Sequence, residues 1–414
     1  MASSPPSDES DPLLALASSL AGTSDPWVIL RTVPRVHAHD DRDLFVELTH
    51  PPHLSFLTVS TRVSPARPRP RQLKRRRTSS VIRHPRILSA DLSASLFLTV
   101  TPTPHPTASS NSAAMDVCCF VLDAASCTSH RVPDPNPGFA RLGVIAAPDG
   151  ASFMVVGLRC PIGNDRASLY CFSSRTGGWV TKDVNSPRPH RAWTLSDVIA
   201  HDGKLWWVDT SSSATKGLLY CEPFADQPSM SFVPFPNHVT AVEARAKATA
   251  YDYVQVADGT LRWVHVLCDL DETADEAPSL NGAPLLSIYA VLGGDDDGYR
   301  LELEVLPHWR GDFSLCFIWE SDSFKATEMP TDEQPVVALI DPNDTDLLYF
   351  FLGDYLFGFD IRKHVVLGYA PHGMADPDVS WSSLLAWKLP PAHVAPTARR
   401  CGDTYLSTAR TAAG

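Results

Sequence analysis

The sequence predicts an all-β fold: a β-propeller-like ring of antiparallel four-stranded blades, with six blades favoured over five or seven. Two observations predict it. First, Asp-Gly steps recur ahead of apolar strands: Asp149-Gly150 before ASFMVVGL, Asp202-Gly203 before KLWWVDT, and Asp258-Gly259 before TLRWVHVL. Asp202 follows Asp149 by 53 residues and Asp258 follows Asp202 by 56. Asp-Gly between apolar runs marks a hairpin, because both central residues of a type I′ turn need positive φ. Four strands in roughly 40–50 residues is the blade unit of a propeller. A reversed pair, Gly353-Asp354, precedes YLFGFDI further on. Second, several strands are apolar on consecutive residues, as in Leu205-Trp206-Trp207-Val208 and the run Leu347–Leu352. A strand with one wet face alternates, whereas a continuous apolar run needs cover on both faces. Only Asp11–Leu20 and Val239–Thr249 read as helical, so sheets must cover sheets. Radially packed blades do this and leave only short, protected edges. The alternative is an all-β protein with four unrelated hairpins.

Taken in order, residues 1–24 are Ser-, Pro- and acid-rich and read as a disordered tail. A single propeller-like domain is expected over 25–391, with a loose tail over 392–414. WVILRTV at Trp27–Val33 is a strong strand, expected to close the ring by pairing with the last blade. LFVEL and LSFLTV complete the first sheet. The stretch 62–86 interleaves Pro with ten Lys or Arg and carries no acid, so it reads as an exposed, disordered insertion. Strands resume at Ile87–Leu88, Ser95–Thr101 and Val117–Leu122. A blade-like set follows at Leu142–Ala147, Ser152–Leu158, Ser168–Phe172 and Gly178–Asp183, and Leu195–Phe235 forms the next. Thr249–Val256, Leu261–Leu267, Leu285–Leu292 and Arg300–Leu306 form another, interrupted by the acidic loop DLDETADEAPSLNG. Ser314–Trp319, Val336–Ile340, Leu347–Leu352, Tyr355–Asp360 and Val365–Tyr369 come after, and SWSSLLAWKLP reads as the last strand.

The chain of 414 residues carries a formal charge of −12. Outside the basic stretch, 25 basic residues face 47 acidic ones. An acidic body argues against nucleic-acid binding except through the basic loop, since phosphate contacts need a cationic surface. The count of nine cysteines is odd and none has C-x-x-C spacing, which is the usage of reduced, buried thiols in an intracellular protein. The N-terminus lacks a basic n-region and does not read as a signal peptide. No apolar run reaches 18 residues, so no membrane span is predicted. Asn343-Asp344-Thr345 matches a glycosylation sequon and reads as a turn.

No catalytic motif stands out: there is no G-x-S-x-G, no Gly-rich phosphate loop and no H-E-x-x-H. No catalytic, cofactor-binding or metal residue is assigned, and no cofactor is implied. His37-Ala38-His39-Asp40-Asp41 reads as a polar turn ahead of a metal site, which would need three or more fixed ligands. Asp295-Asp296-Asp297-Gly298 and Asp341–Asp346 lack calcium-loop spacing and read as hairpin turns. Trp206-Trp207 reads as core ahead of a binding surface. Cys118 and Cys119 are neighbours in a strand and point to opposite faces, which excludes a shared ligand site. Lys74-Arg75-Arg76-Arg77 has the composition of a nuclear-import signal or a contact for an acidic partner or RNA; a solvated insertion is the simpler reading.

The segments WVILRTV, YCFSSRTGGWVTKDV, DVIAHDGKLWWVD, GLLYCEPFADQPSMSFVPFP, FKATEMP and LIDPNDTDLLYFFLGDYLFGFDIRKHVV together resemble the plant domain-of-unknown-function family 1618 (DUF1618). The resemblance is densest over 168–370. It implies a layout similar to F-box-associated β-propeller domains and carries no catalytic residues. No F-box is visible in this sequence. The expected function is a non-catalytic protein-interaction module, monomeric, in the cytoplasm or nucleus or both, with an unknown protein partner. Two alternatives stand beside it: a hydrolase with loop carboxylates such as Asp197, Asp209 and Asp341 at the central opening, and a nuclear factor using the basic loop.

Overall fold

The computed structural model describes residues 25–37, 42–64, 85–103, 116–133, 140–187, 193–210, 216–236, 249–268, 284–294, 298–304, 313–374 and 383–390. Both tails, the helix expected at Asp11–Leu20, the loop acids 295–297 and Lys74–Arg77 lie outside them. So does all of the helix expected at Val239–Thr249 except Thr249, which opens a strand.

The described residues are nearly all β and fall into six groups of strands. The first joins the two ends of the described chain. It holds β1 (Trp27–Arg31), β2 (Arg35–His37), β3 (Leu44–Glu47), β4 (Leu54–Ser60) and β26 (Leu384–Lys388), in the order β2-β4-β1-β26 with β3 also on β4. The second is β5 (Arg86–Asp91), β6 (Leu96–Thr103), β7 (Asp116–Asp123) and β8 (Thr128–Val132). The third is β9 (Ala140–Ala146), β10 (Phe153–Arg159), β11 (Arg166–Ser173) and β12 (Gly178–Asn185). The fourth is β13 (Leu195–His201), β14 (Lys204–Asp209), β15 (Gly217–Cys221) and β16 (Met230–Pro234). The fifth is β17 (Thr249–Ala257), β18 (Thr260–Cys268), β19 (Leu285–Gly294) and β20 (Gly298–Leu303), with β21 (Phe313–Ser314) on β19. The sixth is β22 (Val336–Ile340), β23 (Leu347–Leu352), β24 (Tyr355–Asp360) and β25 (Val365–Pro371). Groups two to six are antiparallel meanders in chain order, and a single parallel pairing of Ile199 with Ala90 joins the second and fourth into one sheet.

The turn chemistry explains the hairpins. Asp202 and Gly203 have φ of 50° and 68°, and Asp258 and Gly259 have 47° and 66°, as a type I′ turn requires. Each joins the first two strands of its group. Asp149-Gly150 stands at the equivalent place but differs, because only Gly150 has positive φ and the turn from Ala147 to Ser152 is longer. Gly353-Asp354 joins the second and third strands of its group, so it is not the fourth member of that series. The equivalent turn of the sixth group is Asp341–Asp346, tied by Asn343 N donating to Asp341 Oδ1 at 2.8 Å. The sequon residue Asn343 is used within this turn, its Nδ2 donating to the Asp25 carbonyl at 2.7 Å.

The continuous apolar runs are covered on both faces by neighbouring groups. Leu348, Phe350 and Leu352 pack into a cluster with the fifth group, while Leu347, Tyr349 and Phe351 pack with the first. Trp206 and Val208 face the fifth group, and Leu205 and Trp207 face the third. Six apolar clusters result, each drawn from two consecutive groups: one and two, two and three, three and four, four and five, five and six, and six and one. Gly143 permits one close approach, since a Cβ there would lie 2.5 Å from Val198 Cγ1 and 3.0 Å from Leu205 Cδ2.

Three expectations need correction. The strand expected at Ser314–Trp319 is mostly helical: α1 (Cys316–Glu320) and α2 (Asp322–Lys325) follow β21. Ile318 and Phe324 are buried in the cluster between groups five and six, so the apolar run satisfies burial without pairing. The Ser321 hydroxyl caps α2 by accepting from Phe324 N at 3.2 Å. The basic insertion is also shorter than expected, because Arg62 hydrogen-bonds Asp43 and Arg86 opens β5. Cysteines 118, 119, 160, 171, 221, 268 and 316 are free, but Cys127 is disulfide-bonded, a departure from a wholly reduced set.

Candidate functional site

A cavity of about 700 Å³ lies where the first strands of groups two, four and five face β26 of the first group. Its wall is built from β5, β13, β17 and β26, with Arg141 from β9 and Thr32 just past β1. Local irregularity shapes it. In β5, β9 and β13 the pairing register skips one residue, Leu88, Arg141 and Ser196 respectively, and all three line the cavity. A bulge leaves one residue out of the ladder and re-aims the side chains beside it, a device common next to functional sites. Arg141 also has φ of 31°, a left-handed value unusual for a non-glycine residue. Its carbonyl accepts from Trp207 Nε1 at 3.3 Å, and its Nε donates to the Leu195 carbonyl at 3.3 Å.

The polar groups of the wall act on one another. Burial pushes the Asp197 carboxyl above its ordinary range, and the charges of Arg141 and Arg86 counter this only in part. Burial, with Asp197 adding, likewise raises the Tyr253 hydroxyl. Tyr253 donates to Gln255 Oε1 at 2.6 Å. Gln255 then reaches into the sixth group, its Nε2 donating to the Ile340 carbonyl at 2.7 Å and its Oε1 accepting from Ile340 N at 3.1 Å. A side-chain amide thus takes the place of a strand neighbour between β17 and β22.

The acids singled out from the sequence do not come together. Asp197 lies within β13 and not in a loop. Asp209 ends β14, fully buried, and accepts from Thr194 N at 3.0 Å. Asp341 is buried in its turn, and desolvation raises its carboxyl to about 6. Neither Asp209 nor Asp341 lines the cavity; Asp197 and Asp202 do. These two are five positions apart on one hairpin arm, roughly 16 Å at the usual rise per strand residue. Asp202 is exposed, 3.4 Å from Lys204 Nζ. Paired glycosidase carboxylates stand about 5–10 Å apart, so this arrangement gives the hydrolase reading no support. Trp206 and Trp207 are both fully buried core residues. His37 belongs to β2, and the rest of its polar run lies outside the described residues. Among the described residues no three His, Cys, Asp or Glu side chains gather closely enough to hold a metal ion, and no helix is long and apolar enough to cross a membrane.

The cavity residues Arg86, Arg141, Tyr253 and Gln255 went unrecognised in the sequence. Arg86 reads as the end of a basic loop, and Arg141 falls just before the strand expected at Leu142–Ala147. No local signal marks the bulge that sets such a residue at the cavity.

These features carry the marks of a β-propeller. The family profile described as "F-box protein At3g26010-like, beta-propeller" matches residues 143–265, from β9 into β18. A second, "Protein of unknown function (DUF1618)", matches residues 207–349, which bears out the resemblance read from the quoted segments. No curated protein matches the chain. Similar solved structures include Kuenenia stuttgartiensis hydrazine synthase, at TM-score 0.35 and 10% identity over 70% of this chain and 75% of that one. Another is in a mitotic checkpoint complex, at 0.32 and 8% identity over 74% and 75%. A third is from a study of two prolyl endopeptidases, at 0.31 and 10% identity over 70% and 35%. Likenesses this weak carry no argument.

Proposed function

We propose that residues 25–391 form one six-bladed propeller that works as a non-catalytic protein-interaction module. The observation that supports it most is the cycle of six apolar clusters, which returns from the sixth group to the first. Hydrogen bonds follow the same cycle: Val144 N donates to Ser89 Oγ between groups two and three, and Asn343 Nδ2 to the Asp25 carbonyl between six and one. With its apolar surface used between blades, such a ring offers loops at its two ends, where binding residues concentrate. The match to an F-box protein's propeller supports a protein partner. Affinity purification of the full chain from its native tissue is the test. It should return a partner that is lost when loop charges at one end are reversed and retained when those at the other are. Capture insensitive to both ends, or turnover of a glycoside panel, would overturn the reading.

The basic run Lys74-Arg75-Arg76-Arg77 is proposed as a nuclear-import signal or acidic-partner contact on the same body. What favours it is a stretch with ten cations and no acid in a chain of net charge −12. Changing the four residues to Ala in a fluorescent fusion should move the signal from nucleus to cytoplasm. An unchanged distribution removes the import claim.

A further inference from the structure

We propose that the cavity between β5, β13, β17 and β26 binds a small organic anion, its charged group held by Arg86 and Arg141 and its apolar body against Ile87, Leu88, Ile199 and Leu385. The inference goes beyond the interaction module, since a cavity ligand and an end-on protein partner are separate occupants. The volume of about 700 Å³ suits it, small-molecule sites running from roughly 300 to 1,000 Å³ with mostly apolar walls and a few placed polar groups.

The charge pattern selects the ligand class. The chain as a whole is acidic, at −12, yet the wall of this cavity carries two guanidiniums from two separate strands, whose charges both act on Asp197, while its second carboxylate, Asp202, stands at the hairpin turn 3.4 Å from Lys204 Nζ. Guanidinium pairs match carboxylate and phosphate oxygens in a planar, forked geometry. Arg141 is placed for such a role by its backbone. The residue sits in a bulge at positive φ, its carbonyl held by the Trp207 indole and its Nε by the Leu195 carbonyl. Strain of this kind persists where surrounding structure enforces it. Recognition then falls to the terminal nitrogens of Arg141. Ser93 and Ser196 also lie on the wall, their hydroxyls donating to Asp91 Oδ1 at 2.6 Å and to the Val208 carbonyl at 3.4 Å. Asp197 is the internal competitor: burial disfavours its charged form, so an incoming anion displaces a carboxylate that is already poorly accommodated.

Benzoate, phenyl phosphate and neutral benzamide, titrated into the full chain by calorimetry and ligand-observed NMR, test the proposal. One or both anions should bind and benzamide should not, with the preferred anion identifying carboxylate or phosphate as the native group. Arg86→Gln and Arg141→Gln should each weaken binding by about tenfold or more, the worth of a charge-assisted hydrogen bond. Asp197→Asn should tighten it, a gain that damage to the fold does not produce. The proposal is overturned if benzamide binds as well as the anions, or if neither anion binds at millimolar concentration. It is equally overturned if both arginine variants keep the parent melting temperature and the parent affinity, or if Asp197→Asn weakens binding while melting normally. A partner captured at the ring ends leaves each of these readouts unaffected, so the two ideas fail separately.

Discussion

Deleting residues 1–35 abolishes soluble, folded protein. The strand lost is β1, which stands between β26 and β4 in its sheet. It pairs antiparallel with β26 from Trp27↔Lys388 to Arg31↔Leu384, and parallel with β4 at Ile29↔Leu54 and Leu30↔Ser55. Its two faces serve different cores: Val28 and Leu30 pack towards the second group, Trp27 and Ile29 towards the sixth. Val28, Ile29 and Leu30 are fully buried. Burying four such side chains contributes on the order of 6–12 kcal/mol, comparable with the whole net stability of a domain, about 5–15 kcal/mol. The ladder bonds and the join between first and last strands go with it. Expression level, size-exclusion profile and thermal melt are the measurements. Ile29→Asp, a single change placing a charge in the core between groups six and one, should have nearly the same effect. A truncated chain that stays soluble and melts cooperatively near the parent temperature would show that β1 does not close the structure.

That strand was legible because two independent signals agreed on it. WVILR is apolar without alternation, and its expected mate near 380–390 has the same character, LLAWK. The four-stranded unit was legible for a similar reason: Asp202-Gly203 and Asp258-Gly259 take the positive φ that a type I′ hairpin turn requires. Where a signal was single it misled. The apolar stretch CFIWE reads as a strand by composition, yet it forms α1, since burial of Ile318 can be met by either geometry. Gly353-Asp354 has the right residues for the repeat but sits one hairpin later. The cavity was the least legible part. Its cations come from positions 86 and 141, the first lying two residues before a skipped residue in its strand's register and the second being the skipped residue itself, a property of pairing that one strand's sequence does not carry.

Asp252→Ala destabilises the fold by about 3–5 kcal/mol, the cost of removing one partner of a buried ion pair. Asp252, in β17, is buried with Lys216 from the fourth group, whose Nζ is 2.9 Å from Oδ2; the side chains are 4% and 12% exposed. Trp263 Nε1 donates to Oδ1 at 3.0 Å, and His265 Nδ1 lies 3.0 Å from the same oxygen. One carboxylate thus serves three groups at the seam between the fourth and fifth groups, beside the stacked rings of Phe235 and Trp263, whose centroids are 4.0 Å apart. Burial pushes the carboxyl up, but the hydrogen bond from His265 and the charge of Lys216 outweigh it and hold Asp252 below its ordinary range. A carboxylate so depressed stabilises the native state above its unfolded pKa of about 3.9, and that contribution is lost as pH falls through the folded value. The gap between parent and variant should therefore be full at neutral pH and close on acidification below about pH 4. Denaturant unfolding across that range measures it. The double variant Lys216→Met with Asp252→Leu separates charge from packing. Without a stranded ammonium it should be more stable than Asp252→Leu alone, because an apolar pair can replace a buried ion pair at little cost. If the double variant is the less stable of the two, Asp252 holds the seam through its shape and not through its charge.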